Sequence, residues 1–307
     1  MKTDRYVGES FEWEHISGAA IADLSDAIST KIEDPVALRL MTEWSPSPHF
    51  YLLDDGQVMI LKAPTYDADQ GFEDTVAIRV FISGKRLITA SIKSVDAVAE
   101  VMKRLEGDSS LASSPFFALA LIAQRIAIQL RNISIKLVDR LDGLEDDVIN
   151  PDVDVAMVDL VEFRRTVIML NRASMPQAEA LEELAAETST MVPEDAREFL
   201  TPVVASAKKF NELLVSLRQR SEGVAQALEY GAQQKSEKMS YLLTLAAGVF
   251  LPINLAAGMF GVNVGGVPWL DNANGFWILC GLLVLTGVGS AFLSALILKW
   301  ISRKRLR

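Results

Sequence analysis

Cysteine and histidine are nearly absent from the 307 residues of this chain. Cys280 is the single cysteine, so the sequence offers no disulfide and no paired-cysteine metal site. His15 and His49 form no HxxxH or HExxH arrangement, and we expect both to be ordinary surface or packing residues. The sequence also lacks a GxxxxGK[ST] phosphate loop and a GxSxG nucleophile elbow. We therefore expect no enzyme activity, no catalytic residues and no resident cofactor.

Charge is missing from a long C-terminal stretch. No charged residue occurs from Met239 to Leu270, and Asp271 is the only one before Lys299. Segments 239–262 and 276–298 are each long enough to cross a hydrocarbon core, which takes about 20 helical residues. The sequence therefore predicts two transmembrane helices in contact with membrane lipid. The link between them, 263–275, is rich in glycine and asparagine, a composition that favours neither helix nor strand.

Basic residues flank the two spans on one side only. Five of them lie in the tail 299–307, Lys235 and Lys238 precede the first span, and the link has none. The positive-inside rule then places both termini in the cytoplasm and the link outside. The first twenty residues contain no apolar core, so we expect no signal peptide. The prediction is a multi-pass protein with a large cytoplasmic part.

The cytoplasmic part is strongly acidic. The whole chain has a net charge of −10, and residues 1–238 alone carry −14. Such a surface disfavours a nucleic-acid partner. An acidic body can serve solubility alone, or its summed field can concentrate cations. Composition leaves both readings open.

Two regions divide the cytoplasmic part. Residues 1–108 read as mixed α/β, because HFYLLD, QVMILKAP, TVAIRVFIS and RLITAS are rich in branched and aromatic residues. The last two segments predict a hairpin that turns at Ser83-Gly84-Lys85. Ser94 to Gly107 reads as a compact helix with a serine cap. This region is the predicted α+β domain.

Residues 109–238 read as helical. Apolar residues follow Pro115 at spacings of three and four, a second helix begins near Val153 and resumes past Pro176, and a third begins near Pro193. No proline occurs between Pro202 and Pro252. The pattern predicts a long stalk helix that runs directly into the first span.

The first span has two unlike faces. The bulky face carries Leu242, Leu245, Val249, Ile253 and Phe260. The other face is small or polar and consists of Ser240, Thr244, Ala247, Leu251, Asn254, Gly258 and Gly261. Such a face either packs closely against another helix or lines a water-filled path. Asn254 needs polar partners two residues after Pro252, which itself removes a backbone donor.

The second span carries small residues in two stripes. Their spacing of four suits packing against a helix, and the members are Thr286, Ser290 and Ser294, with Gly287, Ala291 and Ala295 beside them. Two helices per chain cannot enclose a channel. A pore in this protein therefore requires a homo-oligomer, expected to be a ring.

The stretch FLPINLAAGMFGVNVGG resembles the signature region of the CorA metal-ion transporter family. In that family a proline-containing pore helix ends in an aromatic-Gly-Met-Asn motif before a short outer loop. Here Phe260 stands where the family has tyrosine, and Gly261-Val262-Asn263 carries valine in place of methionine. This variant is similar to the bacterial zinc transporters of the ZntB branch. The order of acidic α/β domain, long helices, two spans and basic tail fits the resemblance along the whole chain.

The resemblance implies a homopentameric funnel in the bacterial inner membrane, with the first span of each chain lining the pore. It also implies that Gly261, Val262 and Asn263 attract the hydrated cation at the outer mouth, where amide oxygens suit hard hydrated ions. Asp271 is the only acid in the link, and its role stays open between a turn residue and an electrostatic one. Nitrogen and sulfur ligands for zinc are absent from the proposed pore, so zinc would pass largely hydrated.

Three functions follow from these observations. The first is transport of divalent cations, foremost zinc. The second is a magnesium or cobalt channel of the same fold, and the third is a non-conducting, membrane-tethered signalling or scaffold protein. The resemblance also raises proton coupling, but no Asp, Glu or His lies between Glu237 and Asp271 to carry a proton.

Overall fold

The computed structural model describes residues 2–18, 20–44, 46–67, 71–149, 157–188, 191–261, 268 and 272–305. Contacts divide the chain into two compact units, Met1–Ala225 and Gln226–Arg307. We call the first the cytoplasmic unit, after the location that the charge distribution predicts for it, and the second the apolar unit. The boundary falls within one continuous helix, so each unit is described separately.

A six-stranded mixed sheet forms the centre of the cytoplasmic unit. Its strands lie in the order β1-β2-β6-β5-β4-β3. β2 and β6 pair in parallel, and every other neighbouring pair is antiparallel. The strands are β1 (Lys2–Val7), β2 (Glu12–Ser17), β3 (His49–Leu53), β4 (Gly56–Asp67), β5 (Gly71–Ser83) and β6 (Arg86–Ser91).

Helices cover both faces of this sheet. On one face, α1 (Ile21–Ser29) and α2 (Pro35–Thr42) share a buried cluster with Ile60 and Ile88 of the strands. The carboxylate of Asp34 caps the N-terminus of α2, where it accepts a hydrogen bond from the backbone N–H of Val36 at 2.8 Å. Alternate residues such as Met59 and Leu61 are buried on the other face, because successive side chains of a strand point in opposite directions. There α3 (Asp96–Gly107) packs beside α4.

Three long helices complete the unit: α4 (Pro115–Ile149), α5 (Met157–Ala186) and the first part of α6 (Glu194–Gly261). α5 continues through Pro176, where the sequence predicted an interruption. A proline inside a helix removes one backbone hydrogen bond. Burial of the next turn compensates, since Ala178 and Leu181 are buried and the side-chain oxygen of Gln177 accepts from the backbone N–H of Lys62 at 2.6 Å.

The first part of α6 buries a seam against α4 and α5. Arg220 of α6 pairs with two acids of α4, Asp142 at 2.5 Å and Glu145 at 2.6 Å. Alternating steps of three and four, the pattern of helix-on-helix packing, separate nearly all buried members of the seam. These members are Ala196, Leu200, Val203, Val204, Ala207, Phe210, Leu214, Leu217, Ser221 and Val224.

The predicted α+β architecture with long helices is confirmed, including all four predicted strands. The hairpin turns at Gly84-Lys85, and Gly84 has a φ of 56°, a conformation that favours glycine. β1, β2, α1 and α2 were not predicted. The domain boundaries expected at residues 108 and 238 stay predictions.

His15 is a buried packing residue on β2. Its Nδ1 lies 2.9 Å from the hydroxyl of Thr89, which also accepts from the indole N–H of Trp13 at 2.8 Å. The Thr89 hydroxyl carries one hydrogen, so it suits a neutral His15 whose Nδ1 accepts. Burial lowers the pKa of His15 from 6.5 to about 4.

We expect acid to weaken the cytoplasmic unit through His15. Between pH 6.5 and about 4 the unfolded chain binds a proton that the folded chain does not, so stability falls as the pH falls through this window. The loss at pH 4 amounts to about 3 kcal/mol at one pKa unit per 1.36 kcal/mol. Denaturant unfolding of wild type and His15→Gln at pH 7 and pH 4 measures it. Identical pH dependence of the two proteins would contradict the assignment.

Candidate cation pathway on α6

Three helices among the described residues are long and apolar enough to cross a membrane. They contain Pro115–Asp146, Glu194–Gly261 and Gly275–Leu293. Half of the apolar window in the first lies buried inside the cytoplasmic unit, whereas none of the apolar windows in the other two is buried. α4 therefore buries much of its apolar surface in the protein core. The last part of α6 and α7 (Gly275–Arg305) present theirs outward.

Within the apolar unit, α6 packs on α7 at Ile253 of its bulky face, whereas Leu242 of the same face is exposed. A Cβ added to Gly287 would lie 3.1 Å from the Cδ1 atom of Ile253, so glycine lets the two helices approach closely there. Half-buried side chains mark the contact on both helices. They are Leu245, Val249, Ile253 and Phe260 on α6, and Leu279, Leu283, Thr286 and Ser290 on α7. Thr286, Gly287 and Ser290 of the predicted small-residue stripes are half-buried on this side, whereas Ala291 is exposed.

Local hydrogen bonds satisfy three hydroxyl groups in this unit. Thr286 and Ser290 donate to the backbone carbonyls of Leu282 and Gly287 at 2.8 and 3.0 Å. On α6, Thr244 donates to the carbonyl of Ser240 at 2.8 Å. Hydroxyl groups bonded in this way need no partner outside their own helix.

The predicted pore-lining face of α6 faces away from α7. All six residues are exposed in the single chain, including Leu251 with 67% of its surface. No described atom comes within 4 Å of a Cβ added at Gly258 or Gly261. The face comprises Ser240, Thr244, Ala247, Leu251, Asn254 and Gly258. Its small and polar surface is therefore free for another chain or for water.

Asn254 differs from the hydroxyl residues around it. Its side-chain amide forms no hydrogen bond with any residue in the part of the chain that the structure describes. An amide has two donors and an acceptor oxygen, and leaving them unsatisfied in an apolar medium costs several kcal/mol. Asn254 therefore requires partners other than the described residues of its own chain.

Gly261 is the last residue of α6. Val262, Asn263 and Asp271 lie outside the described residues, so the motif and the link acid stay sequence predictions. Within the described ranges, no group of three or more His, Cys, Asp or Glu side chains is arranged to hold a metal ion.

We expect Gly287→Leu to destabilise the contact between α6 and α7, since the new side chain would meet Ile253. Overpacking of this kind costs about 1–3 kcal/mol. Gly289→Leu is the matched control, because nothing lies within 4 Å of a Cβ added there. Thermal unfolding midpoints of the two variants in detergent provide the measurement. Equal midpoints would show that Gly287 does not set this contact.

The fold and the exposed apolar helices together define a class of protein. A mixed sheet flanked by long helices occupies most of the chain, and two apolar helices carry a face of small and polar residues that their own chain leaves open. Exposed apolar helices of this length are typical of proteins that are anchored in a membrane.

A family model described as "CorA-like Mg2+ transporter protein" matches residues 8–294. The chain belongs to this family of divalent-cation transporters, as the resemblance in its sequence indicated.

Individual relatives agree with this assignment. "Zinc transport protein ZntB" of Pectobacterium carotovorum subsp. carotovorum (strain PC1) is 26% identical over 278 residues, covering 90% of this chain and 82% of the relative. "Divalent cation transporter CmaX" of Pseudomonas aeruginosa (strain PAO1) is 27% identical over 243 residues, covering 76% of this chain and 68% of the relative.

Solved structures show the same fold. Full-length CmaX gives a TM-score of 0.77 at 22% identity, covering 96% of this chain and 88% of that structure. The CorA magnesium transporter from Methanocaldococcus jannaschii gives 0.74 at 18% identity, covering 92% and 90% respectively. The predicted CorA-like funnel fold is thus confirmed at the level of the single chain.

Proposed function

We propose that this chain assembles as a homopentamer in the bacterial inner membrane and transports divalent cations, foremost zinc, through a pore lined by α6. The observation that carries the proposal is the open face of α6, where Asn254 has no hydrogen-bond partner among the described residues of its own chain. In a ring of copies, these faces would meet around an axis, and water in the pore would satisfy the amides.

The same arrangement favours hydrated ions. The proposed lining offers hydroxyl, amide and backbone oxygen but no imidazole, thiolate or carboxylate. Zinc held directly by protein prefers nitrogen and sulfur, whereas oxygen groups can hydrogen-bond to the water around an ion. Loose contacts of this kind let an ion enter and leave. The names of the ZntB relatives support zinc as the cargo.

The proposed topology has two spans, α6 and α7, with both termini in the cytoplasm and the link outside. The basic tail and the absence of basic residues from the link support this orientation. The burial of α4 in the cytoplasmic unit supports two spans rather than three. We further propose that the protein is not an enzyme and has no resident cofactor, since the ion is its cargo.

Uptake into liposomes containing the purified protein and a zinc-sensitive dye tests the proposal. We expect zinc influx that depends on the protein and changes when a pH gradient is imposed. Magnesium and cobalt are added as competitors, because the family model is described by magnesium transport. Preferential magnesium or cobalt flux would select the second candidate function. No flux of any of the three ions would favour a scaffold role.

A further inference from the structure

An open cavity of about 770 Å³ lies in the cytoplasmic unit, beside α5. The loop before β3 forms one wall, and Lys62 of β4 and Thr75 of β5 contribute from the sheet. The cavity is remote in sequence from the proposed pore, and the transport proposal gives it no role. Its volume falls in the range of small-molecule sites, roughly 300–1,000 Å³.

Among the described residues, the charged side chains that line this cavity are all basic: Lys62, Arg164, Arg165 and Arg172. In the ranges that the structure describes, none of the four forms a salt bridge. Other arginines of the long helices form salt bridges with acidic residues. Arg140 pairs with Glu162, and Arg220 pairs with Glu145.

This unpaired cluster is unexpected on an acidic body. Residues 1–238 carry a net charge of −14, so acids are plentiful, yet no acid among the described residues lines the cavity. The pKa of Lys62 is lowered, first by burial and then by the nearby charge of Arg79, against the opposing effect of Asp74. Burial, more than any neighbouring charge, disfavours the charged form of Lys62, and a bound anion would stabilise that form.

The remaining wall is apolar. Pro46 and Pro48 lie on one side, and Ile168 and Met169 of α5 lie on the other. Ile168 is an exposed large hydrophobic residue, with 44% of its surface accessible. A ligand made of phosphate alone would leave this wall unused.

We propose that the cavity binds a nucleoside polyphosphate. The planar guanidinium groups of Arg164, Arg165 and Arg172 match phosphate oxygens in two-point hydrogen bonds, and Lys62 adds a point charge. The base packs on the proline and methionine side chains of the apolar wall. The ligand thus places negative charge next to the four basic side chains.

Calorimetry on the full-length protein in detergent and metal-depleted buffer tests this site without measuring transport, so its outcome is independent of the proposed function. ATP, inorganic pyrophosphate and adenosine are the probes. We expect ATP to bind and adenosine to give no detectable heat. Arg164→Gln with Arg172→Gln should raise the Kd for ATP on the order of tenfold or more, since charge-assisted hydrogen bonds are lost.

The matched control removes two exposed arginines of the same unit, as Arg39→Gln with Arg104→Gln. It should leave the Kd for ATP unchanged, and thermal unfolding checks that both double variants stay folded. Pyrophosphate binding as tight as ATP would support the phosphate site and overturn the role of the apolar wall. Absence of ATP binding, or an equal loss in the control, would overturn the proposal.

Discussion

Asn263→Ala is expected to reduce zinc uptake into liposomes by at least about tenfold while the oligomer stays intact. In the proposed pentamer, five Asn263 amide oxygens accept hydrogen bonds from the water around the entering ion. A hydrogen bond between neutral groups contributes about 0.5–1.5 kcal/mol, and because several are lost together the sum exceeds the 1.4 kcal/mol that corresponds to a tenfold change. Loss of the whole ring therefore removes most of the attraction at the mouth.

Initial rates of dye response measure this effect, and size-exclusion chromatography checks the assembly. Asn274→Ala is the matched control, because Asn274 belongs to the same predicted link and is exposed. We expect the control to transport at close to the wild-type rate. Wild-type uptake by Asn263→Ala would remove the motif from the mechanism.

Cysteine substitution at two adjacent positions should separate the two faces of α6. Ile253 is half-buried and contacts Gly287 of α7, whereas Asn254 is exposed on the open face. In a Cys280→Ala background, a cysteine replacing Asn254 should react with a charged, water-soluble thiol reagent at least about tenfold faster than one replacing Ile253. Water access keeps the thiol pKa near its ordinary value, and each unit of increase removes about nine-tenths of the reactive thiolate.

Labelling rates in proteoliposomes, read by mass spectrometry, give the comparison. Leu251→Cys lies on the same open face and should follow Asn254→Cys. Equal rates at 253 and 254 would contradict the assigned face. Protection of both 251 and 254 would show that this face packs against another helix instead of lining water.

Periodicity in the sequence was sufficient to predict the strands β3 to β6 and the long helices. Their apolar residues recur at the spacing of one buried face, and the local pattern is enough to identify them. β1 and β2 were not predicted because their segments, Lys2–Val7 and Glu12–Ser17, are largely polar. β2 is a strand because its neighbours bury it, with Trp13 and His15 bonded to Thr89 of β6. Pairing partners distant in sequence supply that information.

For the candidate pathway on α6, too, some features were predictable from the sequence and others were not. The unlike faces of the first span were readable from helical spacing, because side chains three and four residues apart share a face. Spacing alone did not predict which face of the first span the second span covers. That choice depends on shape, since Gly287 offers room to Ile253 and leaves Asn254 open.

The sequence by itself determined the apolar spans, the orientation expected from charge and the family, because length, charge and a contiguous motif are properties of a chain read in order. The tertiary structure decided which of the long apolar helices is buried in the protein core. Pro115–Asp146 is long and apolar enough for a span, yet half of its apolar window is buried within the cytoplasmic unit. It also brought Lys62 beside Arg164 and Arg172, which lie about a hundred residues further along the chain. Both depend on packing between distant segments, which hydropathy and local spacing do not encode.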